Sequence, residues 1–157
     1  ADAHERSTGP EIFADTDGEA AALVAGVGTG GTLTGTARYL VRHIPGIQIV
    51  AVEPADSPIL SGGQAGPRKL QGIGANFIPA VLDRKLIDRV IPVTSEDAAR
   101  TAREAAVKEG LLIGISGGAA LYAALELAKE PAFENKRIVV ILPDSGERYL
   151  STPMFAE

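Results

Sequence analysis

The stretch GVGTGGTLTG, residues 26–35, follows an apolar run and precedes a segment with helical periodicity. Glycines at such a junction let backbone N–H groups turn inward, and the start of a helix adds partial positive charge. An anion is therefore favoured there. Thr29 and Thr32 add hydroxyl donors, which suit a compact phosphate monoester better than a pyrophosphate approached by bare backbone. Gly26, Gly28 and Gly31 also fit G-x-G-x-x-G, and Glu53 closes the next apolar run about 20 residues on, where a ribose-binding acid would stand. An NAD(P)-binding Rossmann-type domain of a dehydrogenase is thus one alternative, and a tight turn with no ligand is another. A nucleoside triphosphate loop does not fit, because it needs a lysine after its last glycine and none lies nearby.

A second junction, GISGGAA, sets Ser116 after an apolar run and at the start of a helix. In open α/β sheets ligands sit at that edge. Taken alone, Ser116 reads as an N-cap. A nucleophilic serine needs an adjacent base, and neither His4 nor His43 has a context that supplies one. His43 reads as a favourable charge at a helix terminus. Hydrolase chemistry is set aside.

Regular elements must hold these two junctions. Residues 20–27 form a short continuous apolar run, as a strand covered on both faces would. Leu33, Ala37, Leu40, Val41 and Ile44 then recur at helical spacing until Pro45 and Gly46 stop them. Residues 47–54 read as the next strand, so the opening is a β-α-β unit and the sheet is parallel. Residues 53–83, dense in Gly and Pro, read as a long functional loop. RVIPV is a short strand that Pro92 places at an edge or strand end. Thr94 and Asp97 open a helix with a capping-box pattern, Ala98, Ala102, Ala105 and Ala106 share its face, and Gly110 closes it. Residues 111–115, LLIGI, read as a buried strand, followed by a helix over about 119–129. Residues 136–143 complete the set. The fold class is α/β, an open, mostly parallel sheet with helices on both faces.

The totals agree with one folded unit. The chain has 157 residues, 45% hydrophobic and 22% charged, enough apolar content for a core. A net charge of −5 with scattered signs argues against nucleic acid. The chain has no cysteine, which fits a reducing, cytoplasmic setting. No run approaches the roughly 20 apolar residues of a membrane span, and the first residues lack the pattern of a signal peptide.

Several segments in order, HERSTGPEI, DTDG, VAGVGTGGTLTG, AVEPADSPILSGG, GPRKLQGIGANFIPAVLD, KEGLLIGISGGAA and LPDSGERYLSTPMF, carry a further reading. Together they resemble the cysteine synthase (O-acetylserine sulfhydrylase) family of pyridoxal-phosphate enzymes, whose architecture is similar to that of the tryptophan synthase β subunit. The resemblance covers nearly the whole chain. It implies that Gly28, Thr29, Gly30, Gly31 and Thr32 bind the phosphate of pyridoxal 5′-phosphate. It also implies that Ser116 accepts or donates a hydrogen bond at the ring nitrogen, and that Gly72, Ile73 and Gly74 form a loop over the substrate edge. A neutral serine makes the ring a gentler electron sink than an aspartate would, which favours elimination. In the family, acetate is lost from O-acetylserine and sulfide adds to give cysteine.

Two positions depart from the family pattern: Gly117 replaces the second serine of SSG, and Asn76 replaces the glycine of GIGAGF. Two motifs are missing. The family's NPxxSxKDR, with its Schiff-base lysine, and its TSGNTG loop for the substrate carboxylate have no match. Lys69, Lys85, Lys108, Lys129 and Lys136 all stand in polar contexts, so no catalytic lysine is assigned within this chain. The resemblance thus implies a C-terminal part, residues 1–157, of a cysteine synthase, inactive alone. The family also implies a homodimer and serine acetyltransferase as a partner. A noncatalytic truncated paralogue that acts as a binding partner is a further alternative.

Overall fold

Apolar runs become strands here only where a long partner strand lies beside them. In the computed structural model, which describes residues 1–67, 70, 72–75, 77–152 and 155, with the side chain of Arg148 excepted, four strands form one parallel sheet. They are β1 (Ala22–Gly26), β2 (Gln48–Pro54), β3 (Arg89–Val93) and β4 (Ile138–Val140), in the order β3-β2-β1-β4. β1 lies at the centre, with Val24 opposite Val50 on one side and Val140 on the other.

Alternation along the central strands divides the core in two. Leu23, Ala25, Ile49 and Ala51 face helix α3 (Gly31–His43), whose Leu33, Ala37 and Leu40 are buried against them. Ala22, Val24, Val50 and Val52 face α4 (Ser95–Glu109) and α5 (Ile115–Ala128). Helices therefore cover both faces, as the apolar runs imply.

The capping signals act as their chemistry requires. Thr94 Oγ1 accepts from Asp97 N at 3.1 Å at the start of α4, and Gly110 ends that helix at φ +68°. Two further helices, α1 (Asp2–Arg6) and α2 (Thr8–Asp15), occupy the opening residues, for which the sequence reading assigned no element. They pack on α3: Glu5 pairs with Arg42, and the Phe13 ring meets Tyr39 edge-on at 6.3 Å.

One expected strand is absent. Residues 111–115 do not join the sheet: Leu111 and Leu112 are 48% and 37% exposed, and Ile113 makes a single antiparallel bridge to Ser145. The chain enters α5 already at Ile115, four residues before the expected helix start. Gly118 sits so close to Ala98 O that a Cβ there would collide with it. Small residues at 116–120 thus allow α5 to press onto α4, and this packing decides an apolar run whose period alone is ambiguous.

The two borders of the sheet differ. β3 carries Pro92, which lacks an N–H, and Arg89, whose Nη1 pairs with Glu130 Oε2 at 2.6 Å. β4 is apolar throughout and half-buried, with no strand on its outer side among the described residues. None of the described helices is long and apolar enough to cross a membrane.

Candidate functional site

The glycine loop leaves the end of β1 and enters α3 within four residues. Gly30 is the N-cap of α3 at φ +87°, a left-handed conformation that a side chain would strain, and a Cβ there would lie 2.7 Å from Leu82 Cβ. Gly28 is held for a different reason: a Cβ would come within 2.5 Å of Gly72 O. The glycines therefore bring the two loops into contact. The first bond within the α3 turn runs from Thr34 N to Gly30 O, so the N–H groups of Gly31, Thr32 and Leu33 precede the helical ladder. Gly31 N makes only a long 3.5 Å contact with Thr29 Oγ1.

Thr29, Gly28, Gly30, Thr32, Gly72, Ile73 and Ser116 line one hollow of about 210 Å³, together with Gly26, Ile141 and Pro143. Among the described residues, no acidic or basic side chain lines it. It therefore offers donors from the loop end and the Ser116 hydroxyl from the α5 end. Gly31 lies in the first turn of α3, outside the lining, and Gly74 is drawn under the loop by its N–H bond to Val27 O at 2.8 Å. A second, more apolar groove of about 470 Å³ shares Gly28, Thr29, Gly72 and Ile73 and extends past Phe77, Pro79 and Val81.

Ser116 is brought into the site by α5, although no strand precedes it and it is not the N-cap. That position belongs to Gly114. The Ser116 hydroxyl, 3% exposed, instead donates to Asp144 Oδ1 at 3.3 Å. Tyr149 OH reaches the other oxygen of Asp144 at 3.2 Å.

Sequence reasoning missed His4. Its Nδ1 lies 2.8 Å from Thr8 Oγ1 and its Nε2 3.3 Å from Thr32 Oγ1, so α1 brings an imidazole to the back of the glycine loop. The His4–Thr8 spacing of one helical turn was the available signal. His43 stays at the end of α3, where its ring stacks on Tyr39 at 3.9 Å, away from the hollow.

Glu53 corrects the dinucleotide alternative. It is 1% exposed, and its carboxylate accepts from Leu60 N at 2.8 Å, Ser61 N at 2.9 Å and Ser61 Oγ at 2.6 Å. Those bonds tie down the loop that follows β2 and leave no acid presented to a ribose. Among the described lysines, Lys85, Lys108, Lys129 and Lys136 are all exposed. The hydrogen bond from Lys129 to Glu126 raises its pKa, the reverse of what a nucleophilic amine needs. Lys69 and Asn76 lie outside the described residues. Gly117 is buried within α5, where a Cβ would make ordinary contact with Ile113 Cβ at 3.4 Å.

The family model of pyridoxal-phosphate dependent enzymes matches residues 2–144. The chain is 56% identical over 162 residues to cysteine synthase A of Escherichia coli strain K12, an alignment covering 98% of this chain and 50% of that protein. It superposes on the crystal structure of cysteine synthase from Entamoeba histolytica with a TM-score of 0.95 at 45% identity, covering 98% of this chain and 45% of that one. The O-acetylserine dependent cystathionine β-synthase of Helicobacter pylori gives a TM-score of 0.89 at 41% identity, covering 98% and 50%. The chain spans about half the length of the curated relatives it matches.

Proposed function

Because the chain belongs to the pyridoxal-phosphate dependent enzyme family, we propose that it is the C-terminal part of a cysteine synthase and carries the non-covalent half of the cofactor site. The observation that carries this reading is the shared hollow, which holds Thr29, Thr32 and Ser116 together and, among the described residues, has no carboxylate in its lining. Its donor set fits the group: a phosphate needs N–H and hydroxyl donors at a helix start, and a pyridine nitrogen needs a single hydrogen-bonding partner at the far end.

In this reading Gly28, Thr29, Gly30, Gly31 and Thr32 hold the phosphate, with the α3 N-terminus favouring its negative charge. Ser116 meets the ring nitrogen. Gly72, Ile73 and Gly74 border the substrate edge, and Ile73, 3% exposed, excludes water beneath it. When bound, the cofactor supplies an electron sink for loss of a leaving group from a β-substituted amino acid. The substrates are O-acetylserine and sulfide. No described lysine is placed to anchor the cofactor, so this chain binds but does not turn over by itself. The complete enzyme is a cytoplasmic homodimer with serine acetyltransferase as a partner. The exposed lysines equally favour a second reading, a noncatalytic paralogue, which would co-elute with serine acetyltransferase on size exclusion.

Titrating the full chain with pyridoxal phosphate, with inorganic phosphate as competitor and NAD as control, tests the reading. Expected is binding that phosphate displaces and that Thr29→Ala weakens. Binding of NAD in preference to pyridoxal phosphate would overturn it.

A further inference from the structure

A doubly charged phosphate group needs hydrogen-bond donors and positive charge as well. Among the described residues, the lining of the hollow supplies donors but no cation. The glycine loop adds the partial positive charge at the start of α3. Behind that end of the hollow stands His4. Its Nε2 lies 3.3 Å from Thr32 Oγ1 and its Nδ1 2.8 Å from Thr8 Oγ1, so each ring nitrogen has a hydroxyl partner. A hydroxyl can donate or accept, and both the neutral ring and the imidazolium therefore keep two partners. The seat is tight, since a Cβ on Gly35 of α3 would lie 2.9 Å from His4 Cβ. The ring is thus held one hydroxyl away from the hollow in either charge state.

We propose that His4 is a positioning residue that supplies, from behind Thr32, the counter-charge of the anion site: its imidazolium form strengthens the hold on a tetrahedral dianion, and the dianion in turn favours the imidazolium. The proposal rests on the reading of the glycine loop as the phosphate end. An opposite charge nearby sets the sign, and the two effects are one coupling seen from either side. Which nitrogen carries the proton of the neutral ring does not matter to it. The helices packed together here carry Asp2, Glu5 and Arg6 on α1, Glu11 and Asp15 on α2, and Arg38, Arg42 and His43 on α3. Asp2 and Glu5 are matched by Arg38 and Arg42, and His43 stacks on Tyr39 at the far end of α3. The amino group of Ala1 also stands beside the loop, 3.4 Å from the place of a Cβ on Gly31. Asp144 touches the other end of the hollow through Ser116. His4 is the imidazole in contact with the lining, and imidazole is the side chain that changes charge between about pH 5 and 8.

The test uses the full chain with sulfate, which stays doubly charged across about pH 5 to 8 and so has no titration of its own where imidazole changes charge. The chain has two histidines, so proton NMR follows both rings, His43 serves as the internal control, and His43→Gln assigns them. Saturating sulfate at constant ionic strength should move the His4 midpoint up by about half a pH unit and leave that of His43 in place. Half a unit corresponds to about a threefold gain in affinity as the ring becomes charged. The ratio of wild-type to His4→Gln affinity for sulfate should therefore be about threefold higher near about pH 5.5 than near about pH 8. Ala1 is common to both chains and drops out of that ratio.

A His4 midpoint that sulfate leaves unmoved, or that moves no further than that of His43, would overturn the proposal alone, provided that Thr29→Ala still weakens binding. An affinity ratio independent of pH would do the same and would leave His4 as a packing residue that holds the loop in shape. No sulfate binding at millimolar concentration, or binding indifferent to Thr29→Ala, would overturn the reading of the loop and the proposal with it. The NMR titration needs no substitution at His4, so it decides the matter even where His4→Gln fails to fold.

Discussion

Single side chains decide whether the glycine loop is only a turn or also a receptor. Thr32 is oriented from behind by His4, which Thr8 fixes in turn. Losing a neutral hydrogen bond of this kind is worth about 1 kcal/mol, so His4→Ala should weaken phosphate binding about five-fold, and Thr32→Ala at least as much. Equilibrium titration with inorganic phosphate checks both, and an unchanged affinity in His4→Ala would show that the contact does not orient the loop. Glu53 has the opposite character, a buried acid fully engaged with its own loop. Glu53→Ala leaves the N–H groups of Leu60 and Ser61 without their acceptor and should destabilise the fold by about 2 kcal/mol, read by urea unfolding. The sequence placed Glu53 correctly at a strand end but could not show where its carboxylate turns. That direction depends on a loop folding back from residues 60 and 61.

At the scale of elements, the contact between α4 and α5 sets the position of Ser116. Gly118 lies against Ala98 O, whereas Gly117 has room for a Cβ. Gly117→Ala should therefore stabilise the protein by about 0.5–1 kcal/mol through helix propensity, and Gly118→Ala should destabilise it by pushing the helices apart. Thermal melts should move in opposite directions, and a shared direction would refute the packing argument. Strands β1 and β2, helix α3 and the capped helix α4 were legible, because continuous apolar runs, period-3.6 patterns and Thr94 with Gly110 carry local signals. Residues 111–115 were not. A five-residue apolar run fits a strand or a bridge equally well, and the decision came from the tight seat of α5, a tertiary effect. The candidate site was legible only as far as its lining: the glycine loop and Ser116 stand at one hollow as their two junctions suggest, while His4 behind Thr32 and Asp144 behind Ser116 enter only once α1 and the end of β4 are placed.

For the whole molecule, both halves of the core share one sheet. Leu23 faces α3 and Leu127 lies in the core beneath α5, each 0% exposed. Leu23→Ala and Leu127→Ala should each cost about 2–5 kcal/mol, sum nearly additively in the double variant, and lower one common transition. Two separated transitions in urea would show that the faces unfold independently. The unequal sheet borders have a consequence for assembly. A ribbon of strands lengthens only across a border that still offers backbone donors and acceptors, and among the described residues a proline with a paired arginine blunts one of the two. Any self-association through the remaining side uses up that side in both molecules at once, so it stops at a closed couple instead of running on into a fibre.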